Sequence, residues 1–151
     1  MKKDLKQQLY SLCLKNIEQR ISNVQAVIDN AKESAIDETK GSSGDKHETG
    51  RAMAQLEQEK SSIQLNEVLE MKKAFERIDS TVSSQTIQVG SVVITDKGNF
   101  FISAPVGKLS FDDKVYFAIS ISSPIGVKIK NLSKNDSFEI NGSVYKIVDA
   151  F

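Results

Sequence analysis

The chain has 151 residues, with 20 Lys and Arg balanced by 20 Asp and Glu, and 39% hydrophobic against 26% charged residues. That length accommodates one ordinary domain or two small ones, the composition is that of a soluble folded protein, and the zero formal charge argues against affinity built on a global basic field, as in a DNA-coating protein. One Cys (Cys13) and one His (His47) exclude an internal disulfide framework and cannot by themselves make a Cys/His zinc site.

No apolar run approaches the roughly 20 residues needed to span a bilayer, so no membrane contact is expected. The first residues, MKKDLKQQLYSL, lack the apolar stretch and cleavage site of a signal peptide, and the expected compartment is the cytoplasm. From Asp4 to about Ile36 the pattern predicts a helix free of Pro and Gly. Tyr10, Leu14, Ile17, Ile21, Val24, Ile28, Ala31 and Ala35 alternate spacings of four and three, a heptad seam suited to a coiled coil. Cys13, between Leu12 and Leu14, reads as a small buried hydrophobe. Nucleophilic Cys–His catalysis requires Cys13 and His47 to meet in space, and they lie 34 positions apart in the chain.

The polar run DETKGSSGDKHETG follows, and the helical pattern resumes from about Asp45 to about Ile78. Leu56 and Ile63 lie a heptad apart, and Val68, Met71, Phe75 and Ile78 mark a cleaner seam near its end. Two long helices joined by a short polar loop predict an antiparallel hairpin over residues 1–80. At Asp79–Gln85 the composition changes to a Ser/Thr-rich linker.

Beyond the linker, residues 86–151 hold short β-type runs: GSVVITD, NFFISA, VYFAISIS, SFEI and SVYKIVDAF. Asn141-Gly142 is a strong hairpin signal, and Pro124 suits the start of a short helix. The predicted fold class is α+β: a coiled-coil hairpin followed by a small antiparallel β-domain. No phosphate-binding loop or dinucleotide fingerprint is present. Lys128, Lys130 and Lys134 cluster after Pro124, either as ordinary surface or as a docking face.

The chemically informative segment lies near residues 37–51. Asp45 and Glu48 are three apart, so a helical turn places both carboxylates on one face. One reading is a helix cap, with Asp45 as N-cap and Glu48 reaching back. The other is a pair of hard oxygen ligands, too few to hold Mg²⁺ alone but able to complete a site in another macromolecule.

The run Gly44-Asp45-Lys46-His47-Glu48-Thr49-Gly50-Arg51-Ala52, together with Ser122-Ser123-Pro124-Ile125-Gly126, the polar turn Ser133-Lys134-Asn135-Asp136 and the segments 138–140 and 145–148, resembles the Gre family of bacterial transcript-cleavage factors. Thr49, Gly50 and Arg51 stand where that family has Asn-Ala-Glu, and Asp37 and Glu38 offer a second acidic pair. The resemblance implies an N-terminal coiled coil and a C-terminal FKBP-like β-domain without prolyl isomerase activity. It implies a partner, RNA polymerase, whose secondary channel the coiled coil enters to reach the 3′ end of backtracked RNA. Asp45 and Glu48 would then help hold the polymerase Mg²⁺ and orient water, with polymerase performing the cleavage and no cofactor belonging to the chain itself. The β-domain would grip the channel rim, with Ser123, Pro124, Ile125 and Lys128 as expected partner-binding residues on a monomer. Two other readings stay open: a channel regulator without cleavage activity, and a coiled-coil oligomerisation module self-associating through the Tyr10–Ala35 seam.

Overall fold

The computed structural model describes residues 2–39 and 44–151, with side chains for all of these except 34–39 and 44–48. The elements in chain order are α1 (Lys2–Thr39), α2 (Gly44–Glu76), β1 (Val92–Thr95), β2 (Asn99–Ile102), β3 (Gly107–Phe111), β4 (Lys114–Ile119), α3 (Pro124–Ile129), β5 (Ser137–Ile140) and β6 (Ser143–Ala150). Absence of Pro from both long helices, and of Gly beyond the first turns of α2, lets each run unbroken. The fold class is α+β.

The chain divides into two compact units, residues 17–72 and residues 1–16 with 73–151. Within the first, α1 and α2 run antiparallel, and the Glu18 carboxylate meets the Lys72 ammonium at 3.7 Å. Ile17 and Ile28 are buried, and Ile21, Val24 and Ala31 half-buried, on the predicted α1 seam; the side chain of Ala35 lies outside the described residues. The seam of α2 follows expectation at Val68 and Met71, both half-buried, and differs before them. Between residues 51 and 68 the buried or half-buried positions are Ala54, Gln58, Ser61, Leu65 and Val68, whereas Leu56 and Ile63 are 65% and 61% exposed. The four–three spacing from Ala54 to Val68 is a heptad stripe built partly from small and polar residues, which the search for large apolar side chains passed over.

In the second unit six strands form one sheet in the order β3-β4-β2-β1-β6-β5. Neighbours are antiparallel except β2 and β4, which run parallel with Phe101 opposite Ala118. The sheet is otherwise the antiparallel one expected, and β3 is a strand absent from the sequence-based expectation. It carries one inward residue, Leu109, between outward Lys108 and Ser110. It turns into β4 through Asp112 and Asp113, both at positive φ, a turn made without glycine. The β5–β6 hairpin turns at Asn141 (φ 50°) and Gly142 (φ 83°) as expected.

Strand alternation gives the sheet two buried faces. On one, Val93, Phe100, Ile102, Phe138 and Ile147 pack with Ile87 and Ile129. Val92 and Phe101, with the opposite parity, are also fully buried, as are Leu9 and Cys13 of α1 and Phe75 of α2. Tyr10 stacks on Phe75 with ring centroids 4.4 Å apart, and Cys13 Sγ lies 3.6 Å from Ser103 Oγ. Cys13 is the buried small hydrophobe expected of it.

Candidate functional site

Helix α3 begins where Ser123 caps it. The Ser123 hydroxyl accepts from the Gly126 N–H at 3.0 Å and donates to the Ser120 carbonyl at 2.7 Å, while Pro124 occupies the first helical turn. A Cβ on Gly126 would fall on the carbonyl oxygens of Ser120 and Ile121, so only glycine allows α3 to press this closely on the end of β4. At the other side, the Lys128 ammonium donates to the Glu139 carbonyl at 2.8 Å, tying α3 to β5.

These contacts leave a groove of about 340 Å³ lined by Ile119, Ser123, Pro124, Ile125, Lys128, Ile140 and Asn141. The four expected partner-binding residues therefore share one groove. Ile119 and Ile140 extend its apolar floor, and Asn141 supplies a polar rim that the sequence did not associate with them. An apolar floor with a cation and an amide at the edge suits docking of an apolar side chain beside an acidic or carbonyl-bearing neighbour.

The other lysines of the sequence cluster are placed differently. Lys134 lines a cleft of about 480 Å³ together with Lys2, Ser84 and Asp149. Burial of the Asp149 carboxyl tends to raise its pKa, but the Lys2 ammonium 2.9 Å away, the Ala150 N–H and the Lys134 charge outweigh it and hold the group below its ordinary value.

Asp45 and Glu48 fall in the first turn of α2 and Asp37 and Glu38 in the last turn of α1, but their side chains lie outside the described residues. Among the described residues no cluster of three or more His, Cys, Asp or Glu is placed to hold a metal ion. No helix among them is long and apolar enough to cross a membrane.

No family model matches the chain, and no curated protein does. A solved structure of the transcription factor Gfh1 is similar over 91% of this chain and 92% of that one, with 17% sequence identity and a TM-score of 0.37. A likeness at that level bears on neither the fold nor the function of this chain.

Proposed function

We propose that the chain acts on RNA polymerase as a Gre-type factor, entering the secondary channel with its helical hairpin and promoting cleavage of backtracked RNA by polymerase itself. The observation that carries this reading is the pairing of two architectures in one chain. Two unbroken helices of 38 and 33 residues each run for roughly 50 Å, and the acidic residues lie in the turns that face their connection. The sheet unit adds a docking groove that gathers Ser123, Pro124, Ile125 and Lys128. Asp45 and Glu48 are of the right donor type for a hard divalent ion shared with a partner. The polymerase Mg²⁺ would supply the Lewis acidity, and the two carboxylates would contribute oxygen ligands and orient water.

Self-association through the Tyr10–Ala35 seam is disfavoured within this reading, because α2 already occupies that surface. Tyr10 is stacked on Phe75 and Ile28 is buried.

The deciding experiment is transcript shortening in stalled, backtracked elongation complexes, comparing the wild-type protein with Asp45→Ala/Glu48→Ala. The expected result is cleavage by wild type, a loss of two or more orders of magnitude in the variant, and unchanged polymerase binding. Binding without cleavage by wild type would make the protein a channel regulator, and absence of binding would remove polymerase from the reading altogether.

A further inference from the structure

A further cavity, of about 450 Å³, lies within the sheet-bearing unit, where Lys6 meets the end of α2 and the turn at 88–91 that leads into β1; Arg77, Asp79, Val82, Val89 and Gly90 are among its walls. Gly90, at φ +94°, leaves 3.1 Å between where a Cβ would stand and Ile78 Cγ2, so any other residue would strain the backbone and crowd this wall.

The charges converging here are not matched. Lys6 is only 4% exposed, yet its ammonium, with three N–H donors, has one acceptor among the described residues, the Val82 carbonyl at 2.5 Å. Asp79 Oδ1 accepts from both the N–H and the hydroxyl of Thr81, and its charge acts on Lys6 only at a distance. The Arg77 side chain has no partner among the described residues, so the cavity wall carries two cationic residues and one acidic residue. Burial also pushes the Lys6 ammonium below its ordinary pKa, with Asp79 opposing. The rim is apolar: Val82 and Val89 are each 49% exposed.

We propose that this cavity binds a small amphipathic carboxylate, its head group between the Lys6 ammonium and the Arg77 guanidinium and its tail on Val82 and Val89. The net excess of one positive charge matches a monoanion, and a planar carboxylate fits both the fork of a guanidinium and the spare donors of an ammonium. A bound anion would also offset the cost of keeping a charged lysine out of water. This inference is independent of any action on polymerase.

The test is titration of the full chain with sodium hexanoate, followed through the amide chemical shifts of residues 82–91, with hexanol and inorganic phosphate as comparison probes. Saturable shifts below about 10 mM hexanoate are expected, with about tenfold weaker response to either comparison probe. Lys6→Met and Arg77→Gln should each weaken hexanoate binding about tenfold. Arg77 is exposed, so its replacement tests the proposal independently of any change in stability that Lys6→Met brings. Equal saturation by hexanol or phosphate, no saturable shift, or unchanged affinity in Arg77→Gln overturns the proposal.

Discussion

The helical unit of residues 17–72 and the sheet-bearing unit distribute their large apolar side chains in opposite ways. In the sheet unit they alternate onto two faces, and residues such as Phe101, Val92, Ile102 and Ile147 are completely buried. In the helical unit the contact stripe of α2 runs through Ala54, Gln58 and Ser61, while Met53, Leu56 and Ile63 stand mostly exposed. A two-helix hairpin has one narrow line of contact, whereas a sheet covered on both sides closes a core in which every side chain touches several others. Large side chains are therefore decisive in one unit and nearly neutral at many positions of the other.

That contrast is broken most severely by Phe101→Ala. With a fully buried ring on a central strand, the loss should be about 3–5 kcal/mol, read by urea denaturation; Ile28→Ala in the hairpin should fall near the low end of the usual range, about 2 kcal/mol, because two helices can close on the gap. A loss for Ile28→Ala equal to that for Phe101→Ala would show the hairpin seam to be as tightly packed as the sheet core.

Gly126→Ala comes next. The added methyl meets the backbone of Ser120 and Ile121, which cannot rotate aside as a side chain can. A loss of about 1–3 kcal/mol is expected, together with amide-shift changes confined to the groove of Ile119, Ser123 and Ile140. Wild-type stability in this variant would mean α3 moves away from β4 without resistance.

Lys6→Met should stabilise the sheet unit, by less than Gly126→Ala costs. The folded-state pKa of Lys6 lies below the ordinary value of 10.5, so as pH falls through that region the unfolded chain takes up the proton first and the folded state loses stability. The penalty is fully present at neutral pH and vanishes above the ordinary value. The gain in melting temperature from Lys6→Met should therefore be larger at neutral pH than in strong alkali. The Val82 carbonyl, on an exposed residue, retains access to water when the lysine is removed.

The smallest effect belongs to Leu56→Ser. Its side chain is 65% exposed on the side of α2 away from the seam, and the change should stay within about 0.5 kcal/mol. A loss well above that in dilute solution would identify this stripe as covered by another molecule.

Much of this organisation is legible in the residues. A four–three spacing without Pro or Gly specifies α1, Asn141-Gly142 specifies a turn with two positive φ angles, and Ser123-Pro124 specifies the start of α3. What escaped has physical reasons. Strand β3 presents only Leu109 to the core and turns through two aspartates, so neither apolar alternation nor glycine marks it. The parallel pairing of β2 with β4 is a long-range choice of the sheet, invisible in local patterns. In α2 the largest side chains misplace the upstream seam because Ala54, Gln58 and Ser61 occupy the contact stripe instead. Pro124 and Ile125 are recognisable as a docking candidate, but Ile119 and Ile140 reach the groove only through folding. Lys6, about one turn into a polar-looking helix, carries no signal of its burial, since the residues around it come from positions 74–91.

The sheet-bearing unit is discontinuous in the chain, its first 16 residues separated from the rest by the whole of residues 17–72. On a ribosome this order matters. Leu9 and Cys13 are synthesised before the hairpin and the strands that bury them after it, and Val92 pairs through its backbone with Phe151. At about 5–20 residues per second, the amino-terminal segment leaves the exit tunnel several seconds before its partners exist. The intervening helices can form in that interval from local contacts alone. Vectorial synthesis thus delivers the hairpin first and makes closure of the sheet unit a late event.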